Sequence, residues 1–210
     1  MLLIGMLDSP YVRRVAISLQ LLGLPFEHRA LSVFRTFDQF RAINPVVKAP
    51  TLICDDGTVL MDSTLILDYA ETLAAPKSLM PRGLAQRQAA LRTVGLALAA
   101  CEKSVQLVYE NLRPVEKRHE PWVTRVLGQM HAAFGELETE LARRPHPGAA
   151  QSIGAPEVAT TVSWYFAARM LPDALQGASY PRLRELSAWA ERLPEFVAAP
   201  YGDGTVQPHN

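Results

Sequence analysis

A chain of 210 residues that is 49% apolar and 20% charged has the composition of an ordinary globular protein, and its 21 basic side chains against 21 acidic ones remove the basic bias expected of a nucleic-acid or anionic-membrane binder. Its two cysteines, Cys54 and Cys101, are too few for a disulfide framework and point to a reducing, cytoplasmic compartment. Neither the opening "MLLIGML", followed at once by Asp8, nor the longest other apolar run, Val94 to Cys101, has the length of a signal core or of a membrane span.

Up to about Ala75 short elements alternate in type. Leu2 to Leu7 reads as a buried strand, and Pro10 to Gly23 as a helix with proline at its first position and glycine at its end. Phe26 to Leu31 is a second strand and Thr36 to Ile43 a short helix. Thr51 to Cys54 and Thr58 to Met61, joined by Asp55-Asp56-Gly57, form a hairpin, and Ser63 to Leu73 closes the half as a helix. The order β-α-β-α-β-β-α mixes strands and helices in one small α/β sheet domain, residues 1–76.

Residues 77–84, which overlap "PKSLMPRG" (residues 76–83), have the proline and glycine content of a linker. Beyond it, residues 85–200 follow a helical period. Leu91, Val94, Leu98, Cys101, Val105, Val108 and Leu112 mark a stripe on a long helix from Leu84 to Arg113. Val123, Leu127, Met130, Phe134, Leu137 and Leu141 mark a second. Val158 to Leu171 is apolar on most sides and takes the centre of an all-α bundle; 145–154 is a loop, and 201–210 reads as a frayed tail.

No GxGxxG, phosphate loop, HExxH or GxSxG is present, and five scattered histidines with two distant cysteines give no metal-ligand cluster. Cys101 sits on an apolar stripe and reads as a core thiol. Three junctions remain in the first half: Ser9-Pro10 between strand and helix, Ala49-Pro50 before the hairpin, and Asp62-Ser63 between strand and helix. Each has a plain structural reading, as an N-cap or as a proline at a strand entry. In the strand order above they share one end of the sheet, where two helix N-termini suit anions and the third junction exposes a backbone edge. A ligand with a thiolate at one end, carboxylates at the other and a peptide between fits all three.

"SPYVRRVAISLQLLGLPFE", "NPVVKAPTLICDDGTVLMDSTLILDYAE" and "LMPRG", which cover most of residues 1–82, resemble the glutathione S-transferase superfamily. The resemblance implies a thioredoxin-like N-terminal domain followed by an all-helical one, with glutathione as co-substrate, a small hydrophobic electrophile as second substrate, no metal, and a homodimer. It implies that Ser9 faces the glutathione sulfur and that Ala49, before a cis Pro50, pairs with the cysteinyl backbone. Asp62 and Ser63 would hold the γ-glutamyl end, and Lys48 would reach the glycyl carboxylate. Tyr11, Tyr109, Arg113 and Trp164 are candidates to line an electrophile pocket between the domains, with core packing as the alternative for each aromatic. Two departures stand out. Val47 replaces a common glycine, and Glu157-Val158-Ala159-Thr160 lacks the capping box expected on the central bundle helix. With Ser9 and Val12 at both positions where glutaredoxin-like relatives carry cysteine, thiol–disulfide exchange has no redox couple. A non-catalytic glutathione- or protein-binding scaffold is the alternative reading.

Overall fold

The computed structural model describes residues 1–143 and 153–207; most of the loop read at 145–154 and the last three residues of the chain lie outside them. Four strands form one sheet in the order β2-β1-β3-β4: β1 (Leu2–Ile4), β2 (Glu27–Arg29), β3 (Thr51–Ile53) and β4 (Val59–Met61). β1 runs parallel to β2 and antiparallel to β3, and β3 antiparallel to β4. Helices α1 (Pro10–Leu22), α2 (Phe37–Ile43) and α3 (Ser63–Ala74) complete this thioredoxin-like half, and α1 packs against α3. Then come α4 (Leu84–Asn111), α5 (Glu120–Ala142), α6 (Ala155–Met170), α7 (Pro181–Ala190) and α8 (Pro194–Ala198).

The chain divides into two compact units. One joins Met1–Leu79 to the chain end from Arg192, and the other is Met80–Glu191. The chain end is therefore neither part of the bundle nor frayed over 201–207. Arg13, 1% exposed on α1, explains the first point. Its Nε donates to Ala199 O at 2.8 Å, and its guanidinium lies 5.7 Å from the Phe196 ring centroid, so it satisfies carbonyls at the end of α8 that the helix itself leaves unpaired. His28 on β2 explains the second. The Val206 N–H can only donate, at 3.1 Å to Nδ1, so the ring is neutral with its proton on Nε2, which donates to Gly5 O at 2.7 Å. Burial depresses the His28 pKa below 6.5 more than the Gly5 hydrogen bond raises it. A depressed histidine contributes stability that is fully present above the unfolded pKa of about 6.5 and is lost as pH falls through that value toward the folded one. Thermal unfolding is therefore expected to drop more steeply between pH 7 and 5 in the wild type than in a His28→Gln variant.

The bundle core gathers Met130, Phe134 and Leu137 of α5 with Trp164 of α6 and Tyr180. Phe134 meets Trp164 edge-on at 5.3 Å and 87°, and Trp164 meets Tyr180 at 5.5 Å; such pairs add about 0.5–1.5 kcal/mol each beyond burial. The α5 stripe is as read. On α4 the stripe holds at Val94 and Cys101, with Leu98 and Val108 packed partly buried against the core. The buried line also runs through Ala90, Thr93, Ala97, Ala100, Ser104 and Leu107, while Leu91 and Leu112 are exposed. Both α5 and α6 pack on α4, and small side chains let their backbones approach. The cap read as missing on α6 sits three residues earlier than Glu157. Gly154 is the N-cap residue, and its N–H donates to Glu157 Oε2 at 3.0 Å, so the N3 half of a capping box is present. The N-terminus of α7 is capped from another helix: the Arg182 and Leu183 N–H groups donate to the Glu138 carboxylate of α5 at 2.7 and 3.0 Å. Glu138→Ala should therefore lower stability by about 2 kcal/mol, and Glu138→Gln by roughly half that, in urea unfolding.

Candidate active site at the sheet end

Register fixes where the three junctions meet. Ile4, the last residue of β1, pairs with Thr51, the first of β3, and Thr51 pairs with Met61, the last of β4. The turn to α1, the loop into β3 and the turn to α3 therefore leave one edge of the sheet together. Among the described residues no group of His, Cys, Asp and Glu is placed to hold a metal ion, and no helix is long and apolar enough to cross a membrane.

Ser9 is the N-cap of α1, with φ −73 and ψ 120. Its half-buried hydroxyl accepts from the Val12 N–H at 3.5 Å, the far limit of a hydrogen bond, and has no other partner among the described residues. The cap is real but weak, and the hydroxyl proton is uncommitted. Asp8 beside it has its pKa raised by burial first and the Asp203 carboxylate second, against opposing contributions from the Ser9 backbone and Arg35.

The loop into β3 carries a cis Ala49–Pro50 bond, as the resemblance implied. Among the described residues neither the N–H nor the C=O of Ala49 makes a hydrogen bond. Buried Asn44 shapes this loop, donating to Thr51 Oγ1 at 2.9 Å and accepting from the Val46 N–H at 3.0 Å. Thr51 Oγ1 in turn donates to Lys48 O at 2.7 Å. Val47 takes φ 53, the left-handed backbone a glycine would supply, so the loop keeps the conformation with a β-branched residue in it.

At the third junction Asp62 is the N-cap of α3, its Oδ1 accepting from the Thr64 N–H at 2.8 Å, and Ser63 is the first helical residue. Asp62 holds φ 66 and ψ 131, a conformation costing about 1–3 kcal/mol of the kind that collects at functional sites. Lys48 Nζ lies 4.0 Å from Asp62 Oδ2, both side chains about half exposed. Ser63, 2% exposed, accepts from Arg14 Nη1 at 3.2 Å.

The four electrophile-pocket candidates are divided between the units: Tyr11 in the first, Tyr109, Arg113 and Trp164 in the second. Tyr109 is exposed, and Arg113 pairs with Glu110 at 3.1 Å. Arg118 covers the end of α4, donating to Asn111 O at 2.7 Å. Trp164 is a core residue that also walls a cleft of ≈ 560 Å³ with Pro172, Asp173, Leu175 and Arg184. Sequence reading missed Arg13, Arg14, Asn44 and Thr51. Two adjacent arginines in a helix whose neighbours are nearly all apolar were the available signal, since such charges are buried only with partners.

A thioredoxin-like sheet domain with a cis-proline loop and a strained Asp-Ser helix start, followed by a helical bundle, defines the class of protein. Residues 3–78 match the family model for the glutathione S-transferase N-terminal domain. Over 92% of its length the chain is 24% identical to glutathione S-transferase U6 of Arabidopsis thaliana, covering 84% of that protein. It is 25% identical over 138 residues to the uncharacterised GST-like protein YibF of Escherichia coli K12, across 66% of this chain and 68% of that one. A crystal structure of a glutathione S-transferase from Methylobacterium radiotolerans in complex with glutathione sulfonate aligns with TM-score 0.86 and 26% identity, covering 100% of this chain and 98% of that one. The N-terminal half therefore belongs to the glutathione S-transferase N-terminal domain family, and the chain as a whole is similar to glutathione S-transferases.

Proposed function

We propose that the protein binds glutathione at this sheet end and stabilises its thiolate with Ser9, the thiol proton being lost to solvent. The intact tripeptide is conjugated through its sulfur to a small hydrophobic electrophile, or reduces that electrophile. The single observation that carries the reading is the pairing of Ile4, Thr51 and Met61, which gathers Ser9, Ala49–Pro50 and Asp62–Ser63 at one edge, the same constellation of residues that the family resemblance assigns to glutathione. In this reading Asp62 and Ser63 hold the γ-glutamyl end, the free N–H and C=O of Ala49 pair with the cysteinyl backbone, and Lys48 faces the glycyl carboxylate. A free thiol with pKa near 8.5 is only a few per cent thiolate at neutral pH. Lowering it by about two units needs roughly 2.7 kcal/mol. A hydrogen bond from Ser9 to the anion supplies about 1.5–3 kcal/mol and the N-terminus of α1 about 0.3–1 kcal/mol. No general base is required, and Ser9 acts as an anion stabiliser rather than as a nucleophile. The electrophile would pack beside the sulfur against Tyr11.

The two buried cysteines, neither in a disulfide, support a reducing, cytoplasmic setting. A homodimer is part of the proposal, supported by apolar side chains exposed on α3 (Leu65 64%, Leu73 47%) and on α4 (Leu84 86%, Leu91 54%). The deciding experiment combines retention on immobilised glutathione with turnover of glutathione against a panel of aryl halides and hydroperoxides. Retention with turnover supports the transferase; retention with none across the panel makes the protein a binding scaffold; no retention removes the glutathione reading.

A further inference from the structure

Arg14 has no role in the reading above, yet it is the most constrained charged group at the α3 end of the site. It is 4% exposed, and its Nη1 lies 3.2 Å from Ser63 Oγ and 3.2 Å from Thr64 Oγ1. A guanidinium has N–H donors and no acceptor, so both hydroxyl oxygens must accept from it. Ser63 donates to nothing among the described residues, which leaves its one hydrogen for a group outside the protein. A hydroxyl pinned as acceptor by a buried cation loses its rotational freedom, and each bond in such a chain polarises the next, making it the stronger donor on its free side. The cation behind it also favours an acceptor that carries negative charge.

We infer that Arg14 is the positioning residue for the ligand's α-carboxylate, which it does not touch and acts on through the Ser63 hydroxyl. The inference rests on the glutathione reading and adds to it a buried residue on a different helix from the serine. Thr64 is the second arm of the same device: its hydroxyl holds the guanidinium beside Ser63, while Asp62 caps the helix through the Thr64 backbone. Both hydroxyls are reached from the one Nη1 nitrogen at the end of the arginine side chain. A lysine would keep the charge but end on a shorter stem, with a freely rotating ammonium in place of the fixed planar group.

The test is calorimetric titration with glutathione and with its analogue carrying 4-aminobutyrate in place of the γ-glutamyl residue, which lacks only the α-carboxylate. The proteins are wild type, Ser63→Ala, Arg14→Lys, the double variant, and Thr64→Val. The last removes the hydroxyl of an exposed residue and so releases the guanidinium on that side without emptying a buried site. Ser63→Ala and Arg14→Lys are each expected to weaken glutathione binding about ten- to hundredfold, the double variant little more than either single one, and Thr64→Val several-fold. None of them should shift affinity for the analogue by more than about twofold. If wild-type protein binds glutathione and the Arg14→Lys or Thr64→Val losses are equal for both ligands, or add to that of Ser63→Ala, Arg14 is a structural residue and the inference is overturned. If Arg14→Lys does not fold, the Thr64→Val comparison decides alone. Wild-type protein that binds neither ligand overturns the glutathione reading itself, and this inference with it.

Discussion

Replacing Gly5 with alanine is expected to destabilise the protein by about 4 kcal/mol, more than any other single methyl group added at the sheet end. Gly5 follows β1 with φ 137, a backbone that side chains rarely adopt. A Cβ built there would lie 2.5 Å from Val12 Cγ2 on α1 and 3.3 Å from the Ala49 Cβ on the cis-proline loop. The residue cannot shift away, because its N–H donates to Arg29 O at 3.2 Å and its C=O accepts from His28 at 2.7 Å. Strain of about 1–3 kcal/mol and overpacking of about 1–3 kcal/mol therefore add, and both fall on the contact that brings the Ser9 turn against the Ala49 loop. Gly23→Ala is the control. Its φ is 76, but the nearest atom to its Cβ is the flexible end of Lys77 at 3.6 Å, so only the left-handed cost of about 1–2 kcal/mol applies. Urea unfolding of the two variants measures the difference, and equal losses would mean that the close approach at Gly5 is not what matters.

The same residue shows why part of this molecule was legible in the sequence and part was not. Local signals carried the first half well. Proline at position one and glycine at the end delimit α1, and an Asp-Asp-Gly turn with alternating neighbours delimits the β3–β4 hairpin. Once those elements are ordered, the common end of the three junctions follows from strand direction alone. What local signals cannot carry is an interaction between residues far apart in the chain. Arg13 bonds Ala199 across 186 positions, Val206 reaches His28 across 178, and Arg14 meets Ser63 across 49. The chain end "PYGDGTVQPHN" therefore reads as frayed although Val206 is bonded to His28. The ends of the α4 stripe, Leu91 and Leu112, were misread for a different reason. A helix packed on two sides buries its small residues, so hydrophobicity ranks Leu91 above Ala97 when packing does the reverse. α7 and α8 carried a start signal that was passed over, a proline at the first position of each, with Leu183, Leu186 and Ala190 following at helical spacing in α7.

Ser9→Ala separates the two readings of the residue that opens α1. As a cap it is worth little here: the Oγ to Val12 N–H distance is 3.5 Å, so its loss should destabilise the free protein by less than the roughly 1 kcal/mol of a well-formed cap. As an anion stabiliser it is worth far more. A hydroxyl donating to a thiolate contributes about 1.5–3 kcal/mol, and its removal should raise the pKa of bound glutathione by roughly one to two units. At neutral pH that rise, from about 6.5 to about 7.5–8.5, lowers the reactive thiolate population by roughly three- to twenty-five-fold, because ionisation falls tenfold per unit only once the pKa lies above the working pH. The γ-glutamyl and cysteinyl contacts are untouched, so glutathione affinity measured well below the thiol pKa should be preserved. The signature is a split between binding and chemistry: near-wild-type retention and stability, a displaced ultraviolet titration of the thiolate in the complex, and a turnover rate that recovers as pH is raised through the new pKa. Ser9→Cys should behave differently again, because a thiol beside the bound sulfur can form a mixed disulfide with oxidised glutathione, releasing one glutathione as the leaving group. A Ser9→Ala complex that binds glutathione and titrates at the wild-type pKa would reduce the hydroxyl to its weak cap and leave thiolate stabilisation to the N-terminus of α1.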